Sequence, residues 1–284
     1  MAALPDEWHA ALQLSFLRQE QRRTVLAGRK HEGPLLVQKA LYPEGPQVCH
    51  VAILHPPSGI AGGDTLSISI HVGQDAHALL TTPGATRWYK ANGRRSAQDV
   101  DIRVEPGGRL DWLPQENIFF EQADARSSTR LHLQTGAGAI GWEITQLGSI
   151  QKPSHWDEGR ILLDTQISLD GRLIWLDSGE LDAGSPFRHS LNGLAGYPVL
   201  ATLWAFGTGL STEQVDGLAR DLPWTDTLRM GLTHMPQENG QGLCLVRALG
   251  VHTQDVKSKL IELWQRLRPL LLNIEGAPLR LWKT

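Results

Sequence analysis

Residues 55–72 read HPPSGIAGGDTLSISIHV. Two prolines and three glycines run directly into a segment where Leu66, Ile68, Ile70 and Val72 alternate with polar residues. Successive side chains of an extended chain point to opposite faces, so this period of two predicts a half-buried strand entered through a stiff, bare loop. The loop ends in a single carboxylate, Asp64. The same alternation recurs along the chain. Trp8, Ala10, Leu12, Leu14 and Phe16 carry it first, and further runs lie at 99–104, 109–113, 130–135, 139–147, 160–169 and 172–176. Between them stand the turn signals EPGG (105–108), TGAG (135–138) and LDGR (169–172).

Strands this closely spaced, with no helices between them, predict a mainly β protein of many short strands in an antiparallel or coiled, β-helix-like arrangement. Alternating βαβ units are excluded by the same spacing, and no fixed-period repeat supports a propeller. Two helices are predicted in the last third. STEQVDGLARDL (211–222) opens with Ser211 and Gln214 at capping-box spacing. TQDVKSKLIELWQRLRPLLLN (253–273) places Val256, Leu260, Leu263, Trp264 and Leu267 on one face, and Pro269 is expected to stop or kink it. No linker interrupts the chain. The expectation is one domain over 1–284, strand-rich over 8–206, with a helix-containing C-terminal part over 207–284.

Composition narrows the function classes. The chain has 284 residues, 27 Lys plus Arg and 30 Asp plus Glu, for a net charge of −3. That near balance lacks the clustered basic excess of a nucleic-acid binder. Cys49 and Cys244 are far apart and share no ligand spacing, as expected of packed thiols in a reducing cytosol. The opening MAALPDEWHA lacks the basic-then-apolar pattern of a signal peptide, and the apolar stretch 198–210 is too short for a bilayer helix. A soluble, cytoplasmic protein is predicted.

Enzyme motifs fail on context. GAGAIG (136–141) matches a dinucleotide fingerprint, but WEITQL follows as a strand where a helix is needed, so a glycine-rich hairpin is expected. GRKHEGP (28–34) puts Pro34 where a phosphate-binding lysine must stand. There is no G-x-S-x-G elbow and no H-E-x-x-H. The eleven histidines show no i, i+4 or H-x-H pair, which predicts ordinary hydrogen-bonded or surface histidines.

The glycine loop is followed by TTPGATRWYKANG (81–93) and DWLPQENIFFEQA (111–123). In this order the three segments resemble the signature of the UreD (UreH) urease accessory protein family. WHAALQLSF and GPLLVQKALYPEGPQVCHVAILHPP before the loop also match. So do LNGLAGYPVLATLWA (191–205), LCLVRALG (243–250) and the terminal PLRLWKT after it. The resemblance implies a maturation factor and not a catalyst. It implies binding to apo-urease and to two accessory proteins, UreF and the nickel-bringing GTPase UreG. It further implies a coil of strands with two helices, and an internal tunnel through which nickel passes without a tightly bound cofactor.

Carried onto this chain, the tunnel residues are Asp64 in GGD, Thr86 in GAT, Glu143 in WEI and Asp177 in IWLD, where relatives usually have glutamate. Glu116 in PQEN is a further carboxylate. Weak carboxylate and water ligands suit a passage, because imidazole or thiolate cages would hold nickel too tightly to release it. Each residue has a structural alternative: Asp64 bonding turn amides, Thr86 and Glu116 bonding nearby backbone. Two other functions stay open: a pure protein–protein adaptor, and a hydrolase assembled from His55, Asp64 and Glu116. The last helix and its PLRLWKT tail are the expected dock for a UreF-like partner. Four positions depart from the family pattern. Ser58 replaces a glycine, which matters if the site needs positive φ. Ser149 replaces an arginine, and Pro153–Ser154 replace Gly–Glu.

Overall fold

The computed structural model describes residues 7–149, 151, 155–277 and 279–283. Pro153 and Ser154 lie outside the described residues, as do residues 1–6 of the N-terminal segment and Pro278 and Thr284 of the tail.

The chain winds as a β-solenoid. From Val48 to Leu169 it alternates between two sheets, laying one strand in each per coil. Thr65–Val72, Ser96–Val104, Asp124–Leu133 and Arg160–Leu169 lie parallel in the smaller sheet. Val48–Leu54, His77–Thr81, Arg109–Leu113 and Gly138–Leu147 lie parallel in the larger. Parallel neighbours need a crossover between them, and here the strand in the opposite sheet provides it. GAGAIG is therefore a corner between sheets and not the expected hairpin, with Gly136 at φ 85° making the turn. The short strands Gly59–Ile60, Thr86–Trp88 and Asn117–Phe119 form a third, parallel run along one corner.

Added strands finish the sheets. His9–Arg18 joins the smaller sheet parallel to Thr65–Val72, and Thr24–Glu32 pairs antiparallel outside it. At the far side Arg172–Asp182 ends the smaller sheet. Val199–Thr208, Gln241–Gly250 and Leu228–Pro236 extend the larger one, all antiparallel.

Alternation and register together build the inner core. Phe16, Val72, Val104, Leu133 and Leu169 are partners in consecutive strand pairs, and all are buried between the sheets. Each such side chain contributes about 1.5–3 kcal/mol through burial.

A second core lies on the outer face of the larger sheet. There Leu79, Leu113, Ile140, Trp142 and Ile144 meet helix α2 (Thr253–Leu272) through Val256, Leu260, Leu263, Trp264 and Leu267. Trp282 of the tail packs on Trp142 and Trp264, with ring centroids 5.6 and 5.8 Å away. The apolar face of α2 and the Trp282 ring thus pack within the chain itself. Helix α1 (Thr212–Arg220) has the predicted capping box, Ser211 and Gln214 each satisfying the other's backbone N–H.

Pro269 does not stop α2, which continues to Leu272 and ends on Asn273 at φ 55°. The residue before a proline resists helical geometry, but Arg268 is clamped. It is fully buried, and its guanidinium donates to Asp111 Oδ2 (3.0 and 3.2 Å), to Glu44 and to the Glu275 carbonyl. Asp111, also fully buried, accepts from Trp264 Nε1 at 2.7 Å and from His77 Nε2 at 2.8 Å. Burial pushes the Asp111 carboxyl up, but Arg268, His77 and Trp264 more than offset this and hold it at about 2. The ionised carboxylate only accepts, so His77 carries its proton on Nε2.

Removing one partner of such a buried pair strands the other charge. Asp111→Ala is expected to lower stability in urea by about 3–5 kcal/mol, while an Asp111→Leu/Arg268→Met double variant recovers much of the loss. Equal losses in the two variants would contradict this account.

Candidate functional site

The structure brings two of the four predicted carboxylates together and leaves the other two elsewhere. Asp64 closes the loop that leads into Thr65–Val72. Its Oδ1 accepts from Trp8 N (3.0 Å) and its Oδ2 from Ala61 N (2.8 Å). Its own backbone N–H donates to Ala61 O, and its carbonyl accepts from Ala97 N in the next coil. Both oxygens therefore have backbone donors, the turn-bonding role expected as the structural alternative. Gly62 has no room for a side chain, since a Cβ there would sit 1.7 Å from the Ala91 carbonyl oxygen. Ser58 does sit at positive φ, 56°, where glycine costs least.

Thr86 begins the strand Thr86–Trp88, and its N–H donates to the carbonyl of Glu116 at 2.9 Å. The Glu116 carboxylate faces Lys257 on the first turns of α2, 3.8 Å from Nζ, and Lys257 also donates to Gln115. Burial pulls the His55 imidazole pKa down, and the charge of Asp64 partly restores it. Among the described residues no hydrogen bond links His55, Asp64 and Glu116.

Glu143 and Asp177 border one cavity of about 620 Å³. It opens between the two sheets where the solenoid gives way to antiparallel strands. Glu143 points inward from Gly138–Leu147, and its Oε2 accepts from Thr165 Oγ1 of the facing sheet at 2.8 Å. Burial pushes the Glu143 carboxyl pKa up. Hydrogen bonds from Thr129 and Thr165 work against that shift, while the charges of Asp177 and Asp164 add to it. Asp177 is paired across the edge of the smaller sheet with Thr165, and its Oδ2 lies 2.9 Å from Arg247 Nη2. The rest of the wall is largely apolar, including Leu163, Trp175, Leu200 and Trp204. The rim carries the exposed side chains Phe187, Leu191 and Trp224, with Arg229 stacked over Tyr197 and Trp224.

Sequence reasoning missed Thr129, Thr165 and Arg247. Threonines in a strand carry no signal of their own, but Arg247 did: it is the one charge inside the apolar run LCLVRALG. Among the described residues no three His, Cys, Asp or Glu side chains converge as a metal-holding group. No helix among them is long and apolar enough to cross a membrane.

Two stability changes follow from this geometry. Ser58→Gly relieves left-handed strain against a larger unfolded-state entropy, for an expected net gain of about 0.5–1 kcal/mol in urea. Glu143 has a folded pKa above its ordinary value of 4.5, so ionising it opposes folding. Its neutral form favours the native state below that value, and the advantage is lost as pH rises from 4.5 through the raised folded value. Glu143→Gln should therefore gain stability relative to the unmodified chain as pH rises above 4.5. A pH-independent difference between the two would refute it.

Comparison with known proteins agrees with the motif resemblance. Residues 9–283 match the family described as UreD urease accessory protein. The urease accessory protein UreD of Bordetella pertussis (strain Tohama I) is 54% identical over 284 residues, covering 100% of both chains. That of Ralstonia nicotianae is 48% identical over 279 residues, 98% of this chain and 94% of that protein. That of Cupriavidus pinatubonensis is 47% identical over 282 residues, 99% and 96%. Matched over nearly its whole length and identical to these relatives at about half its positions, the chain belongs to the UreD urease accessory protein family.

Proposed function

We propose that this protein acts in urease maturation as a non-enzymatic scaffold that binds apo-urease together with UreF-like and UreG-like accessory proteins and passes nickel toward the urease site. Family membership supports the role in maturation. The observation that carries the nickel part is the facing placement of Glu143 and Asp177 on one inter-sheet cavity. Two carboxylates with threonine hydroxyls are hard oxygen ligands, too few to trap a divalent ion that prefers imidazole or thiolate. Such a set suits transit and not residence. Asp64, Glu116 and Thr86 remain proposed lining elsewhere on the route, Asp64 also accepting from two backbone amides, Glu116 facing Lys257 and Thr86 bonding the Glu116 carbonyl.

The adaptor reading draws on a separate observation, the exposed Phe187, Leu191 and Trp224 around the cavity rim. Aromatic and Arg side chains of this kind are favoured at binding hot spots. Docking through that rim is compatible with either reading, because a partner seated there would cover the cavity mouth.

Co-expression with urease and the other accessory proteins separates the two. Glu143→Ala and Asp177→Ala are expected to co-purify with their partners normally yet leave urease severalfold poorer in nickel and activity. Normal activation by both variants would leave the adaptor reading standing alone, and loss of co-purification would assign these residues to assembly.

A further inference from the structure

The inference concerns Arg247 and rests on the conduit reading above. Glu143 and Arg247 both pair with Thr202 on the strand between them, so they stand side by side on the larger sheet. Thr165 and Asp177 are partners on the facing sheet. The four side chains form two neighbouring bridges between the sheets: Glu143 with Thr165 at 2.8 Å, and Arg247 with Asp177 at 2.9 Å. Exposure falls along the row, from 62% for the Arg247 side chain to 40% for Asp177, with Glu143 more enclosed. A cation that reaches Asp177 therefore finds its carboxylate already paired with a guanidinium.

We propose that Arg247 is the gate of this cavity: a built-in counterion that occupies Asp177 and must swing away before a divalent cation can be taken up beside Glu143. The energetics favour a gate over a staple. An ion pair this exposed is worth little in water, so it parts readily. The two states then differ in what Asp177 faces: Arg247 in one, the transported ion in the other. Released from Asp177, the long arginine side chain can reach water, where its charge is well solvated. An unpaired guanidinium left in place would repel a doubly charged ion a few ångströms away, an effect that falls with salt. The gate accordingly sets both access and selectivity, admitting a cation only when it competes successfully for Asp177.

The test is a nickel chloride titration of the full chain by calorimetry at fixed low salt. Arg247→Ala is expected to tighten Ni²⁺ binding about three- to tenfold, the range set by removing one screened positive charge near the ion. Arg247→Lys, which keeps the charge, should stay near the unmodified chain. Asp177→Ala should weaken binding, and in that background the gain from Arg247→Ala should vanish. Urea midpoints should be unchanged by Arg247→Ala, separating the effect from folding. Equal Ni²⁺ affinity of Arg247→Ala and the unmodified chain, or a gain that survives Asp177→Ala, overturns the gate while leaving the conduit reading intact. Absence of saturable binding in the unmodified chain and in every variant overturns both.

Discussion

The Asp111 carboxylate is fully buried, and side chains of the larger sheet and of helix α2 supply its hydrogen bonds. The outer face of the larger sheet is apolar, carrying Leu79, Leu113, Ile140, Trp142 and Ile144, so it must be covered. Helix α2 covers it, and the polar contacts around Asp111 determine how. Through Arg268, Trp264 and His77 the carboxylate joins a sheet strand, its neighbour and the helix, and Arg268 extends the network to Glu44. Apolar contact alone would tolerate a helix shifted by a turn. A buried charge would not, since any shift strands an ion away from its partner. The same clamp explains why α2 passes through Pro269.

On the inner side the constraint is register. In-register parallel coils place like positions above one another, so one level of the solenoid is a continuous row across the sheet. The row Leu12, Ile68, Val100 is apolar over the first coils and continues as Thr129, Thr165, Asp177 over the last. Facing it on the larger sheet stand Glu143, Thr202 and Arg247. Along this row polarity enters the interior where the sheets come to their ends and a cavity opens between them. Glu143 is enclosed there with hydroxyl donors, and the acidic neighbours that raise its pKa are the groups that favour a cation nearby.

Much of the solenoid was legible as strands because one face of the smaller sheet is wet, giving clean alternation at Thr65–Val72 and Arg160–Leu169. Strands of the larger sheet were harder to read. Val48–Leu54, His77–Thr81 and Gln241–Gly250 are buried on both faces, and a continuous apolar run has no period that distinguishes strand from helix. Asp124–Leu133 was half read, because its first residues are polar on both sides. The place of Asp111 was hidden for a related reason: alternation in RLDWL points it outward, and outward here is a helix and not solvent.

The sequence by itself determined the β class, the two helices with the Ser211 cap, and the family, since these rest on local periodicity, local hydrogen bonding and contiguous motifs. Only the tertiary structure decided that the strands wind as parallel coils, that Asp64 holds a turn, that Glu143 and Asp177 share a cavity and that Arg247 stands over it. The physical reason is distance along the chain. Register between coils, and contacts such as Arg268 with Glu44 or Arg247 with Asp177, join residues far apart in sequence whose local patterns carry no trace of each other.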